Sequence, residues 1–232
     1  MKGKSLIICL AVIAAAIAGY RWLPSYYNPF VPLTLDDPPG TLTQFKLRRL
    51  TPEHCEILLA QANARQLIRT QSVADSAGEC PLSDVVRVRS FGRVSLSSSF
   101  LASCPLALSS ALFINQQARP LTETMMGSSL SRVEHLGSFA CRNIYHRPNA
   151  RRSEHATAQA LDISGFTLEN GQRISVLRGW ENATSGPWLR ALLDASCGYF
   201  GNALGPDYNA AHANHFHLGM RGFGYCPQSI NH

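Results

Sequence analysis

The sequence predicts an α+β domain in which helices pack on a small antiparallel sheet, stapled by disulfides and set behind an export segment. Three observations carry this. Apolar residues alternate over 131–142 and run through 160–166 and 174–176 on either side of a turn, as strands require; they recur at helical spacing over 51–67, 103–113 and 187–196; and six of the seven cysteines lie beyond residue 50.

Composition sets the frame. A chain of 232 residues holds one good-sized domain with an extension. With 45% hydrophobic and 16% charged residues it is neither a disordered chain nor a coiled coil, and a mean hydropathy near zero excludes a multi-span membrane protein. Loss of Lys2 and Lys4 with the first 18 residues lowers the formal net charge from +6 to +4. The arginines Arg48/Arg49, Arg87/Arg89/Arg93 and Arg151/Arg152 are scattered rather than gathered into a stripe, so no nucleic-acid partner is expected.

At the N-terminus, Lys2 and Lys4 precede an uncharged run from Ser5 to Tyr20 that Arg21 closes. Residues 1–22 read as a signal peptide, with Ala16-Ile17-Ala18 as a small-x-small cleavage site, or as an uncleaved membrane anchor with Tyr20, Trp22, Tyr26 and Tyr27 at the interface. Either reading sends the rest of the chain to the periplasm or cell envelope. Bulky Ile8 before Cys9 argues against a lipoprotein site. Residues 23–41 carry Pro24, Pro29, Pro32, Pro38 and Pro39 and read as a semi-rigid linker, which leaves 42–232 as the domain.

Within the domain, Thr51-Pro52 starts a helix whose apolar stripe is Cys55, Leu58, Leu59 and Ala62, extending toward Gln66 and Leu67. Val85, Val86 and Val88 make a short strand. Ser103-Cys104-Pro105 opens a second helix through Leu108, Leu112 and Phe113, and a third lies around 121–126. Val133, His135, Gly137, Phe139 and Cys141 alternate on one strand; residues 160–166 form another, and Glu169-Asn170-Gly171 turns it into a hairpin with 174–176. Pro187 begins a helix through Ser196, and residues 211–220 form the last strand.

Setting aside Cys9, the six remaining cysteines of an exported chain read as three disulfides, and with no C-x-x-C pair a cysteine zinc ribbon is not expected. Pairing by proximity in sequence gives Cys55–Cys80, Cys104–Cys141 and Cys197–Cys226.

The chemistry sits in two short segments. His155 and Asp162 are seven positions apart, and His215-Phe216-His217 places two imidazoles on one face of a strand. A loop histidine, an aspartate on the next strand and a strand histidine are the N and O donors zinc takes, with one position left for water. His54, His135, His146 and His232 lack such partners and read as surface or core histidines.

At these residues the chain resembles the zinc peptidases that include the D-alanyl-D-alanine metallopeptidases, the penicillin-insensitive murein endopeptidases and the Hedgehog signalling domain. Their motif Ser-x-His-x-x-Gly-x-Ala-x-Asp matches at Ser153, His155, Ala160 and Asp162, and their strand His-x-His at His215 and His217. The longer His212, His215, His217 pattern is most similar to the murein endopeptidase branch. Over about residues 42–230 the layout also resembles the bacterial extensin-like C-terminal domain, at Cys104-Pro105-Leu106-Ala107, Cys141-Arg142, Ser153-Glu154-His155-Ala156, Leu161-Asp162-Ile163-Ser164-Gly165-Phe166, Leu204-Gly205-Pro206-Asp207-Tyr208-Asn209 and His215-Phe216-His217-Leu218.

The resemblance implies zinc held by His155, Asp162 and His217, with His215 beside it as the acid-base or oxyanion group, His212 behind, and Arg142 meeting a substrate carboxylate. It implies an exported zinc hydrolase of peptidoglycan peptides, with peptidoglycan or another wall polymer as partner. Two positions depart from the motif: its glycine is Ala158, and Asn214 stands where a glutamate base is usual. An amide cannot accept the proton, so the base is His215, His212 or Asp207, or the chain is a non-catalytic, zinc-bearing envelope-binding domain.

Overall fold

The computed structural model describes residues 2–222 and 225–226. It begins with helix α1 (Lys2–Trp22), along which Leu6, Ile7, Ile8, Leu10, Val12, Ile13 and Ile17 are exposed. Among the described residues no helix is long and apolar enough to cross a membrane.

The proline-rich stretch is docked rather than free along its second half. Leu33 and Leu35 enter the core, and Asp37, 1% exposed, pairs with the buried ammonium of Lys46 on α2 (Thr41–Arg48) at 2.8 Å. Prolines keep this segment extended, and its alternate leucines find an apolar surface to cover.

α3 (Pro52–Ala64) starts as its sequence predicts: Thr51 accepts a hydrogen bond from the His54 amide, Pro52 occupies the first turn, and Cys55, Leu58, Leu59 and Ala62 are buried. The helix stops before Gln66, whose φ of 56° breaks the expected continuation. β1 (Arg69–Ser72), β2 (Val85–Ser90) and β4 (Phe100–Ser103) form a three-stranded antiparallel sheet in the order β1-β2-β4, with β3 (Ser95–Leu96) leaving it between the last two. α4 (Cys104–Phe113) is buried on every side, as its almost unbroken apolar sequence demands, and a π turn carries it into α5 (Arg119–Met126).

The second sheet holds the site. β5 (Leu130–Gly137), β6 (Ala160–Leu168), β7 (Arg173–Ser175), β8 (Asn202–Leu204) and β9 (Phe216–Gly219) assemble with β3 in the order β3-β5-β6-β9-β8, and β7 pairs with β6 as the hairpin predicts. All of its pairs are antiparallel except β3 with β5. α6 (Val176–Gly179) and α7 (Ser185–Ser196) follow the hairpin, and Trp188, Leu189 and Leu192 of α7 are fully buried in the one large core that both sheets share.

Two strands are shorter than their alternation suggests. β5 ends at Gly137, with φ 114°, so Phe139, Cys141 and Arg142 lie in a loop. The last strand spans only residues 216–219; His212 ends a 3-10 turn and His215 directly precedes the strand.

Three disulfides form: Cys55–Cys104, Cys80–Cys141 and Cys197–Cys226. The last is the expected pair, and the first two correct the expected Cys55–Cys80 and Cys104–Cys141. Cys55 lies on the buried face of α3, which packs on α4 beside Cys104, so helix packing decides that bond; the loop holding Cys80 meets the loop after β5. His232 lies outside the described residues.

Candidate metal centre

A tight turn, two strands and one loop build the site. Ser153 caps the 3-10 turn Glu154–Thr157 by accepting from the His155 amide, and Ala158 closes the turn at φ 49°, ψ 40°. This is the left-handed conformation that glycine adopts freely and alanine at about 1 kcal/mol. The alanine methyl group is itself buried against Leu82 and Val85 beneath β2, which offsets the strain. Four residues beyond, Asp162 stands on β6, and the β6–β9 register places it directly opposite His217. Both residue types point to a ligand role by themselves; only strand pairing makes them neighbours.

The three expected metal ligands converge. His155 Nε2 lies 3.2 Å from Asp162 Oδ2 and 3.2 Å from His217 Nδ1, and His217 Nδ1 lies 2.9 Å from Asp162 Oδ1. A tetrahedral ion with bonds of about 2.0–2.1 Å sets its ligand atoms roughly 3.3 Å apart, so the spacing and the N, O, N chemistry are compatible with a metal ion, the two short oxygen contacts coming from the two different oxygens of Asp162. Among the described residues this is the group that could hold one.

The second nitrogen of each ring is also occupied. His155 Nδ1 donates to the Ser138 carbonyl at 3.1 Å, and Ser138 is anchored in turn by its hydroxyl bond to the Leu101 carbonyl. His217 Nε2 faces Glu154 Oε2 at 3.4 Å; Glu154 also accepts from the Arg221 amide at 2.7 Å and from Asn202 at 3.0 Å. Such outer partners fix which ring nitrogen turns inward. Gly219 makes room for this carboxylate, because a Cβ there would sit 2.5 Å from Glu154 Oε2. The sequence does not single out Glu154, Asn202 or Arg221. Glu154 adjoins His155 in the chain, but nothing local shows that it reaches a strand 63 positions away.

Two carboxylates around these rings leave the site wanting a positive charge. Burial raises the Asp162 pKa, but hydrogen bonds from His155 and His217 prevail and hold it well below the usual carboxylate range. Glu154 is lowered in the same way, against burial, by His217, Arg221 and Asn202. For His217, burial works against the imidazolium, yet the bonds to Asp162 and Glu154 raise its pKa to about 9.

His215 and His212 stand beside the three. His215 Nδ1 donates to Asn214 Oδ1 at 2.8 Å, leaving Nε2 3.6 Å from Asp162 Oδ1. Burial, followed by the positive field of His217, His155 and Arg142, keeps its pKa low despite Asp162. His212 is pushed down to about 4 by burial and by His217 and His215, and its Nδ1 donates to Asn209 at 2.8 Å. All five residues and Arg142 line one cleft of about 530 Å³, rimmed by Tyr145, Tyr208 and Tyr225. The Arg142 carbonyl accepts the Ser153 amide at 3.1 Å, which ties its loop to the motif turn. Asp207 is not in the cleft lining and accepts the Trp180 indole N–H at 2.8 Å, so its place is structural. His135 is likewise apart, bonded to the Ser98 carbonyl at 2.8 Å.

This α+β fold, with its disulfides and histidine cleft, has a match among known families. The family described as "Extensin-like protein C-terminus" matches residues 53–227, and the chain belongs to it. No curated protein and no solved structure matches the chain.

Proposed function

We propose that the chain is an exported zinc-dependent hydrolase that cleaves an amide in peptidoglycan peptides, related to the D-alanyl-D-alanine metallopeptidases and murein endopeptidases. The observation that supports it most is the convergence of His155, Asp162 and His217 at 2.9–3.2 Å on a cleft that also holds His215 and Arg142. Zinc supplies, when bound, a Lewis acid that lowers the pKa of water and polarises a carbonyl. The chain's own residues do the rest. His215, its Nδ1 proton held by Asn214, presents Nε2 to take or give a proton at the reacting amide. Arg142 holds a substrate carboxylate through charge-assisted hydrogen bonds, and His212 orders the polar wall behind His215. Lys2 and Lys4 before the apolar run, together with three disulfides, support export to the periplasm or cell envelope, where peptidoglycan is the partner.

One observation favours a second reading, a non-catalytic zinc-bearing domain that binds the envelope: Asn214, where a glutamate base is usual, is exposed and bonded to His215. Digestion of purified murein with and without a chelator, read by mass spectrometry, separates the two. The hydrolase releases peptide-bearing fragments only without chelator. A protein fully loaded with zinc yet inert on every murein fragment is the binding domain.

A further inference from the structure

A second cavity, of about 1200 Å³, crosses the outer face of the large sheet from β3 over β5 and β6 to β7 and α6. It adjoins the metal cleft along two short walls. Asp162 lines the cleft and Ser164, two residues along β6, lines the groove; His215 lines the cleft, and Asn214, bonded to it, lines the groove. Anything held in the groove therefore runs up to the proposed catalytic histidine.

The groove has a definite chemistry. Arg132 is neutralised by Glu134 at 3.0 Å. Arg173 and Arg178 are exposed, and among the described residues neither has a carboxylate within ion-pair distance. Ser131, Thr167 and Gln172 add hydroxyl and amide groups between them. The exposed rings that line the metal cleft, suited to stacking on a sugar, are missing here: the one aromatic residue in the groove lining, Phe166, is buried. Three strand spacings of about 4.8 Å span roughly 14 Å, the length of about four extended residues at 3.3–3.6 Å each.

We infer that this groove is the subsite for an extended, acidic peptide arm of about four residues, whose carboxylates meet Arg173 and Arg178 while the chain continues to the metal cleft. The inference rests on the hydrolase reading for what happens at the cleft, but not for binding.

Fluorescence anisotropy of full-length protein tests it with a labelled tetrapeptide carrying two glutamates, its glutamine analogue, and an acidic oligosaccharide of galacturonate. The acidic peptide should bind more tightly than the glutamine analogue. An Arg173→Gln, Arg178→Gln double variant, with unchanged circular dichroism, should weaken the acidic peptide about tenfold or more while leaving the analogue unchanged. If zinc-loaded wild type binds the acidic peptide yet cuts no murein, the hydrolase reading fails and this one stands. Equal binding of the acidic peptide by wild type and the double variant overturns the inference. So does tighter, Arg173- and Arg178-dependent binding of the oligosaccharide, which makes the groove a glycan site.

Discussion

In the three-stranded sheet the inward residues Val88, Phe100 and Ala102 are 0–3% exposed and apolar, and the outward arginines and glutamine face water. In the six-stranded sheet Asp162 and His217 keep only 15% and 12% of their side chains exposed, and with Glu154 and His155 they satisfy one another. The first sheet is a scaffold whose surface groups can be exchanged one at a time. The second carries a half-buried polar set whose members hold only together, since an unpaired buried polar group is costly. The two regions meet at Ala158, whose carbonyl accepts the Ser103 amide at 2.9 Å, and at the Cys80–Cys141 bond.

The contrast breaks most sharply at the ligands. Asp162→Ala with His217→Ala should abolish stoichiometric zinc binding, measured by metal analysis of purified protein, whereas exchanging Arg89 for lysine on the first sheet should leave it intact. Stoichiometric zinc in the double variant sinks the ligand assignment.

Next comes His215. With His215→Ala, zinc should stay and murein cleavage should fall about 10²–10⁴-fold. From sequence, Asn214→Ala is expected to matter little; the bond from His215 Nδ1 to Asn214 Oδ1 revises this to a loss of up to about tenfold, through mis-set imidazole orientation. Steady-state rates with parallel metal analysis decide it, and a larger loss for Asn214→Ala than for His215→Ala reverses the roles.

The link between the regions is tested by removing the Cys80–Cys141 bond with paired serines. Its 61-residue span makes the loss about 4 kcal/mol by loop-closure entropy, read from denaturant unfolding. A variant within about 1 kcal/mol of wild type shows that the two halves are held by packing alone.

The smallest effect sharpens the contrast. Gly219→Ala places a methyl group where Glu154 now sits, so the carboxylate must leave His217, and zinc affinity should fall about 10–100-fold with the fold intact. Competition titration against a chelator measures it; unchanged affinity removes Glu154 from the metal's support.

Much of the site's cast is legible in the chain itself, because ligand chemistry is a property of residue type. His155, Asp162, His215 and His217 stand out by spacing and motif. Glu154 does not, because its role depends on β9 lying against β6 at one register. The glycine-to-alanine change at Ala158 is visible in sequence, but its left-handed backbone and its packing under β2 are not.

By itself the sequence determined the helix starting at Thr51-Pro52, the helix opening at Ser103-Cys104-Pro105 and the β6–β7 hairpin, because caps, turns and periodicity act within a few residues. Only the tertiary structure decided that Cys55 meets Cys104 across 49 residues, that Cys80 meets Cys141 across 61, and that His155 meets His217 across 62. It also laid an arginine-bearing groove beside the metal cleft. These depend on which elements pack side by side, and packing is chosen by the burial of the whole apolar surface at once rather than by any local pattern.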